Sequence, residues 1–240
     1  MFKQAVLILL ASTAVNAQSI PGAVLAKREP HHHVAYEDST LRVLRVRVPG
    51  RDTTLLHEHA ADYFWIALGP STVVNAKLGT PDATISSSDL SFHYTFGKFA
   101  HVARNPGLNP FDNITVELLE RQTNIRNLCE SAVADKPLDC PTPSARTKKF
   151  FSGATEHPAL TTAQTRVSLM TIAPGSTLRP TARTRATWMI ALDSADAARG
   201  LAIDGAGRWV GGTFRAPSAK EWAIANKGPS PIRVIAVLKP

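Results

Sequence analysis

The chain has 240 residues, of which 44% are hydrophobic and 19% are charged, and its formal net charge is +8 at pH 7. This length accommodates two units of roughly 100 residues each, and the composition is that of a globular protein rather than a disordered chain. The positive residues are scattered along the sequence and form no Lys/Arg-rich block, so nothing indicates nucleic-acid binding.

Residues 1–17 have the features of a secretory leader. Lys3 provides a positive start, an apolar run extends from Ala5 to Val15, and Val15-Asn16-Ala17 is a suitable small-residue cleavage site. The apolar run is about half the roughly 20 residues needed to span a bilayer, and no later segment approaches that length. We therefore predict a soluble, exported protein, periplasmic or secreted, with no membrane partner and with a mature chain that begins at Gln18.

Alternating hydrophobicity predicts strands at short spacing. Residues 41–48 read Leu-Arg-Val-Leu-Arg-Val-Arg-Val, in which apolar and charged positions nearly alternate. Further strands, each bounded by Gly, Pro, Asn or Asp, are predicted at residues 53–59, 63–68, 71–78, 90–96 and 113–119. A second set runs from Thr165 to Leu238, and no segment of convincing length has a helical period. This pattern indicates an all-β fold, an antiparallel sandwich or barrel.

The two halves of the sequence share weak but ordered similarities, which indicate an internal duplication. Trp65-Ile66-Ala67-Leu68 aligns with residues 188–192, with Ile66 on Ile190. Further matches follow in the same order: Pro49-Gly50 with Pro174-Gly175, Asn105-Pro106-Gly107 with Asn226-Lys227-Gly228, and Ile114 and Val116 with Ile235 and Val237. We expect two structural units, residues 18–120 and 151–240, joined by a connector at 121–150.

The predicted connector carries both cysteines of the chain, Cys129 and Cys140. In an exported protein, which meets an oxidising compartment, we predict that they form one disulfide. Closing so short a loop would contribute about 3 kcal/mol by restricting the unfolded chain. The alternative is two free thiols, and neither cysteine belongs to a Cys-x-x-Cys pair of the redox or zinc type.

The first half contains a candidate metal site. His57 and His59 are two positions apart on a predicted strand, so both project into one cavity while Glu58 points away. A third ligand must come from a neighbouring strand, and His101, followed by Asn105, is the best candidate. Three neutral imidazoles suit Zn, Fe, Cu or Ni better than Mg or Ca. We predict one divalent transition metal; the alternative is that the histidines are ordinary barrel residues.

Pro49-Gly50, His57-x-His59 and Gly97-x3-His101-x3-Asn105 resemble the two sequence motifs of the cupin superfamily. In the second half the positions of His57, His59 and His101 are occupied by Thr181, Arg183 and Trp222, which cannot hold a metal. The resemblance covers most of the mature chain outside the connector. It implies two cupin-type double-stranded β-helix (jelly-roll) barrels in tandem, an exported bicupin in which only the first barrel carries the metal motif.

The sequence departs from the cupin motif at the fourth ligand. Family members usually carry a glutamate about four residues after the second histidine of His-x-His, whereas here that position is Tyr63, preceded by Asp62. Strand alternation places Tyr63 on the histidine face and Asp62 on the opposite face, unless a bulge intervenes. We expect a three-histidine site with Tyr63 in or beside the metal shell, and Asp62 as a fourth ligand is the alternative.

Two further expectations concern the surroundings of this site. Tyr63 is the candidate catalytic residue, able to supply a proton or a hydrogen bond. Residues 31–33 are three consecutive histidines before the first predicted strand, and adjacent side chains cannot all face one cavity, so we expect a surface or lid segment there.

A three-histidine cupin site is similar to those of thiol and diketone dioxygenases. The leading hypothesis is therefore an exported metal-binding cupin-domain protein that acts as a dioxygenase-like, metal-dependent oxidoreductase on a small molecule. No Asp or Glu base is visible in the motif, which argues against an isomerase. The alternative is a non-catalytic bicupin that binds a small ligand or serves a structural role. Exposed strand edges would also allow the chain to form a homo-oligomer.

Overall fold

The computed structural model describes residues 20–127, 150–181, 186–193, 200–204, 209–216 and 222–239. These ranges consist of β-strands, connecting turns and one short 3₁₀ helix at Ala26–Arg28, and they contain no α-helix. No helix within them is long and apolar enough to cross a membrane. The predicted leader and both cysteines of the predicted disulfide lie outside the described residues.

The first half folds into two five-stranded sheets. Its strands are β1 (Val24–Leu25), β2 (His32–Glu37), β3 (Leu41–Val48), β4 (His57–His59), β5 (Asp62–Ala67), β6 (Ser71–Lys77), β7 (Ala83–Ser87), β8 (Phe92–Thr95), β9 (Phe99–Arg104) and β10 (Phe111–Leu118). One sheet, here called the outer sheet, has the order β1-β4-β9-β6-β7. The other, here called the interface sheet, has the order β2-β3-β10-β5-β8. Apolar residues from both sheets pack together between them.

The predicted strand at 41–48 coincides with β3, and the five other strands predicted in this half are present with ends shifted by a few residues. The alternation of β3 explains this agreement, because Val43, Leu44, Val46 and Val48 are buried. Four strands were not predicted: β1, β2, β7 and β9. β1 has only two residues, and polar residues interrupt the hydrophobic pattern of β2, β7 and β9. These four strands are therefore recognised by their pairing with a neighbouring strand and not by their own sequence pattern.

The second half repeats this architecture. Its strands are β11 (Arg126–Asn127), β12 (Phe151–Ser152), β13 (Thr155–Thr161), β14 (Arg166–Ile172), β15 (Thr177–Pro180), β16 (Ala186–Ala191), β17 (Leu201–Asp204), β18 (Trp209–Val210), β19 (Thr213–Ala216), β20 (Ala223–Asn226) and β21 (Ile232–Lys239). They form a seven-stranded sheet, β11-β13-β14-β21-β16-β19-β18, and a four-stranded sheet, β12-β15-β20-β17. β11 lies in the range predicted as connector and pairs with β13.

Strand register confirms the alignment of the two halves. In the first half Ile66 of β5 lies opposite Ile114 of β10, and in the second half Ile190 of β16 lies opposite Ile235 of β21. Two pairs further along, on the same face, Phe64 lies opposite Val116 and Trp188 lies opposite Val237. Residues aligned by sequence therefore occupy the same row of equivalent sheets, as an internal duplication requires.

The motif asparagine has the same structural role in both halves. Asn105 donates through Nδ2 to the carbonyls of Val48, Pro49 and Asn109 at 2.8–3.0 Å, and its Oδ1 accepts from Gly107 N at 3.0 Å. Asn226 donates through Nδ2 to the carbonyls of Ile172 and Ser230 at 2.8–2.9 Å and accepts from Gly228 N at 2.9 Å. Each asparagine therefore links the end of one strand, β3 or β14, to the loop that precedes another, β10 or β21. It belongs to the barrel rather than to the metal site.

The two halves pack through the interface sheet of the first half and the seven-stranded sheet of the second. β10 presents Ile114 and Val116 to a core cluster shared with Trp188, Ile190 and Val237 of the second half. Polar contacts cross the same boundary: Trp188 Nε1 donates to Asp38 Oδ2 at 2.9 Å, and the Arg45 guanidinium donates to the Ala191 carbonyl at 3.0 Å. The opposite face of β10 remains turned into the first barrel, where the candidate site lies.

The interior of the second barrel is filled by apolar side chains. Trp222, at the position aligned with His101, is 2% exposed and packs with Phe151 and Phe214. Thr187, aligned with Tyr63, is fully buried. Arg183, aligned with His59, lies outside the described residues. The described part of this barrel therefore serves as packed support for the first one.

Candidate metal centre

The three predicted ligands meet inside the first barrel. β4 and β9 pair antiparallel with His57 directly opposite His101, and His59 follows two positions along β4 on the same face. The ring centroids of His57 and His101 are 4.3 Å apart, those of His57 and His59 5.2 Å, and those of His59 and His101 5.3 Å. All three side chains are buried.

A fourth histidine, His32, joins this cluster from the interface sheet. Its ring centroid lies 4.6 Å from that of His57 and 6.1 Å from that of His59. One ring nitrogen each of His32, His57 and His59 lies within 4.8 Å of the other two. This set differs from the predicted one, in which His101 was the third member. His101 packs against His57 from the other side.

The expectation of a surface or lid segment at residues 31–33 is wrong for His32, which is only 8% exposed. This segment enters strand β2, where successive side chains point to opposite faces, so His32 turns inward while His33 is exposed. Three adjacent histidines cannot all face the same cavity, but a single one of them, here His32, can do so. Strand alternation shows that one of the three histidines can face inward, but no signal in the sequence indicates which one.

In every histidine of the cluster, Nδ1 forms a hydrogen bond to an oxygen of a residue outside the cluster. The acceptors are Glu29 Oε2 for His32 at 2.6 Å, the Leu55 carbonyl for His57 at 2.9 Å, Glu117 Oε1 for His59 at 3.1 Å and Asn75 Oδ1 for His101 at 2.6 Å. Carboxylate and carbonyl oxygens can only accept, so Nδ1 carries the proton in each neutral ring. Each Nε2 is left with a lone pair, the atom that binds a metal.

The remaining nitrogens have the properties expected of metal ligands. Nε2 of His57 and Nε2 of His101 are buried and have no hydrogen-bond partner among the described residues. Burial lowers the pKa of His57 to about 4, and it lowers the pKa of His59 and of His101 well below the usual 6.5. At neutral pH these rings are uncharged, as metal binding requires. The donor set fits a divalent transition metal.

Two buried carboxylates support the cluster. Burial raises the pKa of Glu29, but the hydrogen bond and charge of His32 together with two backbone N–H groups outweigh it, and the pKa is lowered overall. Burial raises the pKa of Glu117, and the adjacent Arg42 guanidinium opposes that shift through an ion pair. Glu117 thus links His59 on one side to Arg42 on the other.

Tyr63 and Asp62 lie on the faces that strand alternation predicted. The Tyr63 ring stacks on His59 with centroids 4.0 Å apart, and Tyr63 lines the same cavity. Asp62 points away, where it accepts from the Tyr94 hydroxyl at 2.7 Å and from Gly97 N at 2.9 Å. Any side chain at Gly97 would collide with the backbone of Ala61, which explains the glycine in the motif. Asp62 therefore supports the turn before β9 and does not reach the histidines.

A cavity of about 370 Å³ opens beside the four histidines. This volume lies in the usual range for small-molecule sites. Its walls come from both sheets of the first barrel and include the aromatic rings of Tyr63, Trp65 and Phe111. The arrangement can hold a metal ion and a small organic molecule in one compartment.

No protein-family model and no curated protein matches this sequence. Several solved structures do match the fold. AerE from Microcystis aeruginosa is 13% identical over 88% of this chain and 93% of its own, with a TM-score of 0.58. The salicylate 1,2-dioxygenase of Pseudaminobacter salicylatoxidans is 12% identical over 85% of this chain and 72% of its own, with a TM-score of 0.53. A point mutant of the oxalate decarboxylase OxdC of Bacillus subtilis is 11% identical over 83% of this chain and 69% of its own, with a TM-score of 0.52.

At these identities the likeness establishes the fold. The predicted all-β architecture of two cupin-type barrels in tandem is confirmed. Two of the similar structures are named as a dioxygenase and a decarboxylase, and the first barrel of this chain contains a histidine group able to hold a metal ion.

Proposed function

We propose that this protein, whose two barrels have the cupin fold, is an exported metal-dependent oxidoreductase of the dioxygenase type that acts on a small molecule in its first barrel. The observation that carries the proposal is that all four histidines are hydrogen-bonded through Nδ1, which leaves each Nε2 for a metal. The leader-like residues 1–17 support export, to the periplasm or the exterior.

We propose as ligands His32, His57 and His59, whose ring nitrogens lie within 4.8 Å of one another, with the adjacent His101 as a fourth. A bound Fe, Zn, Cu or Ni ion would supply Lewis-acid or oxygen-activating chemistry. Glu29 and Glu117 hold two of the rings in the correct tautomer, and the Leu55 carbonyl and Asn75 hold the other two. The cavity wall is mainly apolar, and Tyr63 beside His59 can give a hydrogen bond or proton to a substrate there.

The absence of acidic groups in the cavity wall favours oxidative chemistry over proton abstraction. Among the described residues that line the cavity none is Asp or Glu. An isomerase or lyase that removes a proton from carbon would need such a base, or a histidine not occupied by metal.

The first test is metal content by elemental analysis of protein purified from its native compartment. We expect about one ion per chain in the parent, loss of the ion in the His57→Ala/His59→Ala variant, and reduced content in His32→Ala and in His101→Ala. His33→Ala is the matched control, because His33 lies next to His32 but is exposed. A parent without metal, or a His33→Ala loss equal to that of His32→Ala, would reject the centre.

The second test addresses catalysis. Oxygen uptake by the iron-loaded protein is measured across a panel of thiols, diketones and phenols, with His101→Ala and Tyr63→Phe beside the parent. Uptake that depends on His101, and that falls in Tyr63→Phe while metal content is retained, supports the oxidoreductase. Metal-replete protein with no uptake on any member of the panel would leave a non-catalytic ligand-binding bicupin as the better description.

A further inference from the structure

The first-barrel cavity has a mainly apolar wall. Its described apolar lining residues are Val46, Val48, Trp65, Val73, Ala83, Ile85, Ala103 and Phe111. Trp65 and Phe111 meet edge to face with centroids 5.6 Å apart, so they present a firm aromatic corner to whatever the cavity holds. Such a wall favours a compact organic molecule that buries apolar surface.

The described lining also carries no Lys or Arg side chain. The nearby cations have other partners: the Arg42 guanidinium is bound by Glu37 and Glu117, and the Lys77 ammonium lies 4.7 Å from the centroid of the Phe99 ring. A carboxylate substrate would therefore find no cationic side chain in this wall. It would have to rely on the metal alone, and the Glu29 carboxylate that binds His32 already places a negative charge close to that position.

Two amide side chains in the cavity lining are held in a fixed orientation, Asn75 by His101 and Asn113 by Thr115, and Asn113 is the more deeply buried of the two. Asn113 is 4% exposed and lines the cavity from β10. The Thr115 hydroxyl donates to Asn113 Oδ1 at 2.8 Å, which fixes the amide and leaves Nδ2 as the donor that a ligand can use. Because β10 alternates, Phe111, Asn113, Thr115 and Glu117 all face inward, and Glu117 binds His59 on the same face of the strand.

We infer that the cavity selects an uncharged, largely apolar small molecule with a hydrogen-bond acceptor such as a carbonyl, and that Asn113 Nδ2 is its specificity-determining donor. This inference rests on the proposed function for the position of the metal, but it goes further by choosing the substrate class. It sets this chain apart from the salicylate and oxalate proteins that share its fold, because the ligands in their names are organic acids.

The test compares amides with acids of the same shape. Benzamide against benzoate, and salicylamide against salicylate, are titrated by calorimetry into cobalt-loaded protein, while the Co²⁺ absorption spectrum reports contact with the metal. We expect each amide to bind at least about tenfold more tightly than its acid. Asn113→Leu should weaken binding of the amide ligands about tenfold. Thr115→Val removes only the hydrogen bond that orients the Asn113 side chain, so it should weaken their binding less. Loss of one hydrogen bond between a buried donor and a ligand typically weakens binding by about tenfold.

Three results would overturn the inference: acids that bind as tightly as the amides, equal affinity of Asn113→Leu and the parent for the amides, or a larger loss in Thr115→Val than in Asn113→Leu. Circular dichroism of each variant confirms that it is folded. If Co²⁺ does not bind at all, the proposed metal centre fails, and the same titrations on metal-free protein still decide the substrate class. If metal-free protein binds the amides more tightly than the acids, the result supports a cavity that selects uncharged molecules. Tighter binding of the acids would reject the inference.

Discussion

Replacement of Glu117 by glutamine should weaken metal binding without unfolding the barrel. Glu117 is 2% exposed and accepts from Nδ1 of His59 at 3.1 Å, so it fixes the tautomer that leaves Nε2 for the metal. Glutamine keeps an acceptor oxygen and the side-chain volume but removes the negative charge. Loss of such a supporting group typically lowers metal affinity 10- to 100-fold, and for this conservative change we expect about tenfold, or about 1.4 kcal/mol.

The assay is competition of Zn²⁺ or Co²⁺ between the protein and a chromophoric chelator. Glu58→Gln is the matched control, since Glu58 lies between His57 and His59 on β4, is 6% exposed, and binds the Ile20 backbone N–H rather than a histidine. We expect Glu58→Gln to leave metal affinity within about twofold of the parent. Equal losses in the two variants, or no loss in Glu117→Gln, would refute the tautomer argument.

Three other predictions concern the barrels. Asn105→Ala and Asn226→Ala should each lower the free energy of unfolding by about 3 kcal/mol in urea titrations, because each asparagine makes at least three hydrogen bonds; a much smaller loss for either would contradict their equivalent roles. His93 is buried and its pKa is lowered to about 4 from 6.5, so between these pH values it takes up a proton only in the unfolded chain. As pH falls from 6.5 to 4, His93 by itself should therefore cost the metal-free protein up to about 3 kcal/mol, in addition to the loss from the histidines of the cluster. His93→Phe should flatten that part of the pH profile and an unchanged slope would count against it. Trp188→Phe, which removes the bond to Asp38 between the barrels, should cost about 1 to 2 kcal/mol by the same urea assay, and no loss would show that this bond adds nothing to the interface.

The second barrel explains why the motif asparagine is present in both halves of the chain and the three motif histidines are not. Asn105 and Asn226 bind backbone groups that every such barrel must tie together, so both copies keep the asparagine. Burying a histidine whose ring nitrogen has no hydrogen-bond or metal partner is costly. The second barrel instead places Trp222 in its interior and gains apolar packing.

Local patterns predicted part of the site because two of its members share a strand. His57 and His59 follow from alternation alone, and the same rule placed Tyr63 with them and Asp62 opposite. β9 was not predicted as a strand, yet His101 was found through its spacing to Asn105. His32 was missed because its segment has no repeated spacing to the other histidines, and only the pairing of β2 with β3 turns it toward them.

The all-β fold, the duplication and the half that can bind a metal were predictable from the sequence, because strand period, turn residues and the histidine motif are local properties of the chain. The contribution of His32, the four different Nδ1 acceptors and the uncharged cavity wall were not predictable in this way. Those features depend on side chains from both sheets meeting in the barrel interior. Their distances are set by strand pairing and sheet packing, which no spacing along the sequence records.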